Sequence, residues 1–244
     1  DWPLCHGTVT PPLRGDTVLE WGHRLLAASA GVLILATIFF AFRLSRQQPA
    51  LRRLMKSIVG LLVFQILLGG LTVILGLSVA ASTIHLLTAS FVFAGLISIA
   101  VCVSDGAPKP TVAIQRLRFL AVAILVQFLL GGILRHSHSG LACPNFPLCL
   151  ESMLPEPAVP SVLLAWSHRW IGVAVAVFAL LMGSVSRWIV VIAWAQVVLG
   201  VLTVLGRIDV VLRASHAALG YFLFGLCIFE LARRGGVVRS RVPS

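Results

Sequence analysis

"AWSHRWIG", residues 165–172, is matched earlier in the chain by "EWGHRLLA", residues 20–27, and that match decides the fold. Working outward, "QILLGGLTVILG" (65–76) matches "QVVLGVLTVLGR" (196–207), and "STIHLLTASFVF" (82–93) matches "RASHAALGYFLF" (213–224). A further pair, "DWPLCHG" (1–7) and "NFPLCLE" (145–151), precedes these blocks in each half. Blocks repeated in the same order make the chain two copies of one unit.

Composition says where the copies live. Apolar residues fill 59% of the 244 positions and charged residues 11%, and the mean hydropathy is +1.01. That excludes an ordinary water-soluble globule. Runs long enough to cross a ~30 Å hydrocarbon layer occur at 23–43, 56–79, 82–103, 117–135, 166–186, 188–206 and 212–232. Residues 1–20 are polar and proline-rich, unlike a cleavable signal. The net charge of +11 is not a nucleic-acid footprint, because the basic residues gather in alternate connections: Arg43, Arg46, Arg52, Arg53 and Lys56; Lys109, Arg116 and Arg118; Arg187; then Arg233, Arg234, Arg239 and Arg241. This positive-inside pattern places the 135–165 loop and the 78–82 and 206–212 turns outside, and the tail in the cytoplasm or matrix.

The expected architecture is an all-α integral membrane protein of tandem pseudo-symmetric four-helix bundles. Residues 1–103 form the first bundle, 104–118 a linker on the cytoplasmic side, 117–233 the second bundle and 234–244 a basic tail. The second copy runs helix, cysteine loop, three helices; the first shows the loop and three helices. An eight-helix parent is therefore expected, of which seven helices are present.

His23, His85, His168 and His216 each lie in the first turns of a helix that starts at the outer surface, and they pair by repeat. In an up-down bundle the second and fourth helices run in the same direction and sit diagonally. Helices 8–10 Å apart put a diagonal pair roughly 12–14 Å apart, which suits a flat macrocycle whose iron takes an imidazole from each side. Arg24 and Arg169 follow two of these histidines and are candidate partners for haem propionates. Glu20 stands three residues before His23, where the second copy has Ala165; one site then carries a reactive carboxylate and its twin does not. Gln65, Gln127 and Gln196, each shortly before a glycine, read as helix-packing positions. His6, His136 and His138 take no ligand role. Cys143 and Cys149 flank a short proline-bounded loop on the oxidising side and are expected to form a disulfide. Cys5 aligns with Cys149, so its partner position falls ahead of Asp1 and it is expected to be unpaired. Cys102 and Cys227 read as small buried hydrophobes.

The tandem repeat, "EWGHR", "AWSHR", His85, His216 and "SGLACPNFPLC" together resemble the haem A synthase (CtaA-like) family, over essentially the whole chain. The resemblance implies an oxidoreductase of the bacterial or mitochondrial inner membrane that converts a methyl group of haem O to the formyl group of haem A. It implies that His23 and His85 hold the substrate haem, that His168 and His216 hold a resident haem b, and that Glu20 acts at the reacting methyl, with both sites near the outer face. Membrane lipid, a haem O synthase as donor and a terminal oxidase under assembly are the expected partners. A non-catalytic di-haem b cytochrome is the competing reading. A disulfide-exchange protein is weaker, because Cys143 and Cys149 lack the two-residue spacing of a redox pair.

Overall fold

The computed structural model describes residues 2, 7–11, 15–45, 48–103, 112–153, 155 and 159–235. Among the described residues every named element is a helix: α1 (Asp16–Leu44), α2 (Pro49–Ile74), α3 (Val79–Val103), α4 (Val112–His136), α5 (Pro160–Ala179, continued by a 3-10 turn at Leu180–Met182), α6 (Arg187–Leu205) and α7 (Val210–Gly235). All seven are long and apolar enough to cross a membrane. The chain is an all-α integral membrane protein.

Several helices outrun their apolar segments. α2 starts at Pro49 and α5 at Pro160, each with proline in its first turn, where a missing N–H costs nothing and φ is already helical. Hydropathy follows the hydrocarbon, whereas backbone hydrogen bonding carries a helix on into the polar interface. In the other direction α2 stops at Ile74 rather than near 79. Gly76 and Leu77 turn left-handed (φ 59° and 60°), and Leu77 N–H bonds back to Thr72 C=O at 2.7 Å. The equivalent turn after α6 repeats this, with Arg207 and Ile208 at φ 55° and 62° and Ile208 N–H on Thr203 C=O at 2.8 Å. These are helix stops of the Schellman type. The next helix starts under a side-chain cap: Ser78 Oγ accepts from Ala81 N–H at 3.3 Å, and Asp209 Oδ1 from Val211 and Leu212 N–H at 2.9 and 3.2 Å. α4 ends in the same way, through Ser139 N–H to Leu134 C=O at 3.0 Å.

The chain divides into two compact units, one within Asp1–Asp105 and one within Gly106–Gly236. In the first, α1, α2 and α3 pack on one another. Its core joins Ile38 and Ala41 of α1, Leu51, Met55 and Ile58 of α2, and Val92 and Ile99 of α3. In the second, α4 and α6 each pack on both α5 and α7, which closes a ring, while α5 and α7 do not pack on each other. Leu117, Leu120, Ile189, Leu223 and Phe224 are buried in this unit, and Phe128 stacks on Tyr221 with ring centres 4.7 Å apart. At the basic end of α7, buried Glu230 pairs with Arg233 and Arg234 at 2.8 and 2.9 Å, and Arg234 also donates to Val185 C=O at 3.2 Å. That last bond ties the end of α7 to the α5–α6 connection.

Candidate functional site

In the second unit α5 carries His168 and α7 carries His216, on diagonal helices across the ring. Their imidazole centres are 6.5 Å apart and their planes 77° apart. The separation of 12–14 Å expected from the sequence is one between helices; the side chains lean inward and close most of it. With metal–imidazole bonds of about 2 Å, two rings sharing one metal have centres roughly 6 Å apart. The observed spacing would let the two imidazoles share one metal. Among the described residues no three His, Cys, Asp or Glu side chains gather as ligands for a bare ion. A two-imidazole donor set suits a metal whose macrocycle brings its own equatorial ligands.

Each ring is seated by the preceding helix. Gly69, Gly131 and Gly200 lie against His85, His168 and His216, and a Cβ at those glycines would stand 3.2, 3.2 and 3.0 Å from the ring Cε1. A side chain there would crowd the imidazole, which would have to give by a few tenths of an ångström. One turn earlier stands a glutamine. Gln65 Nε2 is 3.3 Å from His85 Nε2. Gln196 Nε2 donates to His216 C=O at 2.9 Å and lies 3.5 Å from the ring Nε2. In the orientation that satisfies all of its neighbours, Gln127 Nε2 donates to His168 C=O (3.1 Å) and Nδ1 (3.0 Å), while Oε1 accepts from Gly172 N–H (3.1 Å). These glutamines, read from sequence as helix packing, touch the imidazoles. The four-residue Gln-to-Gly spacing is present in three helices, but it serves helix packing equally well.

In the first unit His85 is half-buried and His23, on α1, is exposed; the two are electrostatic neighbours. Among the described residues no glycine lies against the His23 ring. Glu20 forms an ion pair with Arg24 at 2.5 Å, with the carboxylate side chain 42% exposed. Its counterpart Ala165 is buried. Without a carboxylate one turn away, Arg169 turns instead to the outer loop, donating to Asn145 C=O at 2.6 Å and to Cys143 C=O.

That loop is pinned from several sides. Cys143 and Cys149 are paired and buried, with Cα atoms 4.7 Å apart. Trp166 Nε1 donates to Met153 C=O at 2.7 Å, and its repeat mate Trp21 donates to Val9 C=O at 2.9 Å. The tryptophan of each "W-x-H" thus holds the loop ahead of it, and in the second unit the histidine that follows lies against Gly131 of α4. His136 ends α4 and His138 sits in the turn beyond it. Cys227 is buried with its thiol on Leu117 C=O at 3.4 Å, as a small core residue. Cys5, His6 and the Cys102 side chain lie outside the described residues.

The chain is similar to proteins named Heme A synthase. That of Bacillus licheniformis is 26% identical over 94% of this chain and 84% of the relative. The Symbiobacterium thermophilum protein is 28% identical over 89% and 79%, and the Geobacillus thermodenitrificans protein 27% over 94% and 80%. Residues 1–228 match the model of the COX15-CtaA family, described as cytochrome oxidase assembly protein. With nearly its whole length matched, both histidine pairs included, the chain belongs to the family of cytochrome oxidase assembly proteins.

Proposed function

We propose that the chain is a haem A synthase, a multi-pass membrane oxidoreductase that oxidises a porphyrin methyl of haem O to the formyl group of haem A. The observation that carries the reading is the likeness, along most of both chains, to relatives bearing that name. In this reading His23 and His85 take the substrate haem, and His168 and His216 take a resident haem b. That haem, when bound, supplies one-electron transfer. Arg24 and Arg169 lie at the rim, where propionates would sit. The first site is the reactive one because it alone has a carboxylate beside its histidine. Glu20, held by Arg24 and still open to solvent, is placed to accept a proton as the carbon is oxidised. The second site, with Ala165 at that position, has no such base and passes electrons. Cys143 and Cys149 form a disulfide that braces the outer loop. The sites face the outer side of an inner membrane, next to a haem O donor and a terminal oxidase under assembly.

Haem extraction from the purified protein, together with haem A formation in cells lacking their own synthase, tests this. Haem O or A alongside haem B, with His216→Ala losing haem B selectively, is the expected result. Haem B alone, with no haem A formed, would leave the di-haem cytochrome standing in its place.

A further inference from the structure

Gln127 presents its amide to both the backbone carbonyl and the Nδ1 edge of His168, and is itself held by Gly172 N–H. Gly131, one turn on, abuts the ring at Cε1. The ring is thus fixed on Nδ1 and along its Cε1 edge, and Nε2 is the nitrogen that would take a metal. We infer that Gln127 is a positioning residue that sets the ring plane of His168 and partners its Nδ1 in both the haem-free and the haem-bound protein. The inference rests on the haem b reading of the second unit. When Nε2 binds a metal, the proton must sit on Nδ1 and needs an acceptor, because ligating histidines donate their other N–H to a second partner. With a bare Nδ1 the Gln127 amide gives N–H to the ring and to His168 C=O; with the proton on Nδ1 it turns over to give its oxygen, giving up its bonds to His168 C=O and Gly172 N–H. Gln196 differs: its short bond goes to the His216 carbonyl, and its ring contact is the longer one.

The test compares Gln127→Leu, which removes both roles, with Gln127→Glu, which keeps only acceptance, in the full-length protein. Haem content, haem dissociation rate, midpoint potential and the low-spin EPR spectrum are measured. Nitrogen NMR of the imidazoles in haem-free protein reads the tautomer separately. Leucine should raise the potential and speed haem loss roughly 10- to 100-fold. Glutamate should lower the potential and restore retention, since a stronger acceptor makes the imidazole more electron-donating. Unchanged spectra in both variants, shifts of the same sign, or equal haem loss from both would overturn the assignment and leave Gln127 as packing. If the parent protein binds no haem, or His168→Ala leaves haem content unaltered, the haem b reading itself fails.

Discussion

At the scale of single residues, Glu20 and Ala165 separate two halves that otherwise keep their paired histidines and the arginine after the first of each pair. Glu20→Ala removes a carboxylate but no imidazole, so the first unit should keep its affinity for haem O. Turnover should fall by a factor of about 100 or more if the carboxylate takes a proton or stabilises positive charge at the oxidised carbon. Haem A yield measured beside bound haem O checks this, and a variant with parental yield removes Glu20 from the chemistry. The substitution also frees Arg24 from its ion pair. Glu20→Gln keeps the shape and a hydrogen-bond acceptor, and so tells the loss of a base from the loss of a support. Sequence alone exposes this asymmetry because a repeat carries its own control. It does not foretell what Arg169 does, because its partners are backbone carbonyls of the loop and leave no trace in residue identity.

At the scale of helices, the decisive device is the glycine that admits a ring. Gly200→Ala would put a methyl 3.0 Å from His216 Cε1, pushing the imidazole away. Overpacking of this kind costs about 1–3 kcal/mol, and haem content should drop with it. Gly60→Ala, where a Cβ meets nothing within 4 Å, should leave haem content alone and raise helix stability slightly. A thermal melt and haem stoichiometry on both variants decide the matter, and equal behaviour refutes the ring-seating role. The outer loop offers a second check. Peptide mapping of non-reduced protein should recover Cys143 linked to Cys149, and free thiols at both positions would contradict the proposed disulfide. Helix existence is legible from apolar runs, since membrane spans must be apolar throughout. Helix ends are not, because Pro49 and Pro160 start helices in polar sequence and the turn at Gly76 stops one inside an apolar run. The glutamines escape because Gln before Gly in an apolar helix serves packing equally well; only their contacts tell the two apart.

At the scale of the whole molecule, the repeat is readable in the residues themselves, and so are the histidine pairs it carries. What the repeat does not convey is depth of approach: helix spacing alone suggests rings far apart, whereas His168 and His216 nearly meet. Orientation in the membrane is open to direct test. The clustered basic residues predict that a reporter fused after Ser244 is active only on the cytoplasmic side, and one inserted between Glu151 and Pro160 only on the outer side. Activity of both on one face would overturn the topology.

The glutamine and histidine of a pair also belong to consecutive helices. Gln65 and His85, like Gln196 and His216, are 20 residues apart in the chain, a short loop to close. These two halves, one from each binding site, are therefore local, and each can be complete as soon as its own hairpin has entered the membrane during synthesis. Only the pairing of His168 with His216 has to wait for the rest of the second unit. On the proposed function, synthesis would then leave finished halves to be brought together, with the haem joining them and the mature fold depending on cofactor supply at its last step rather than its first.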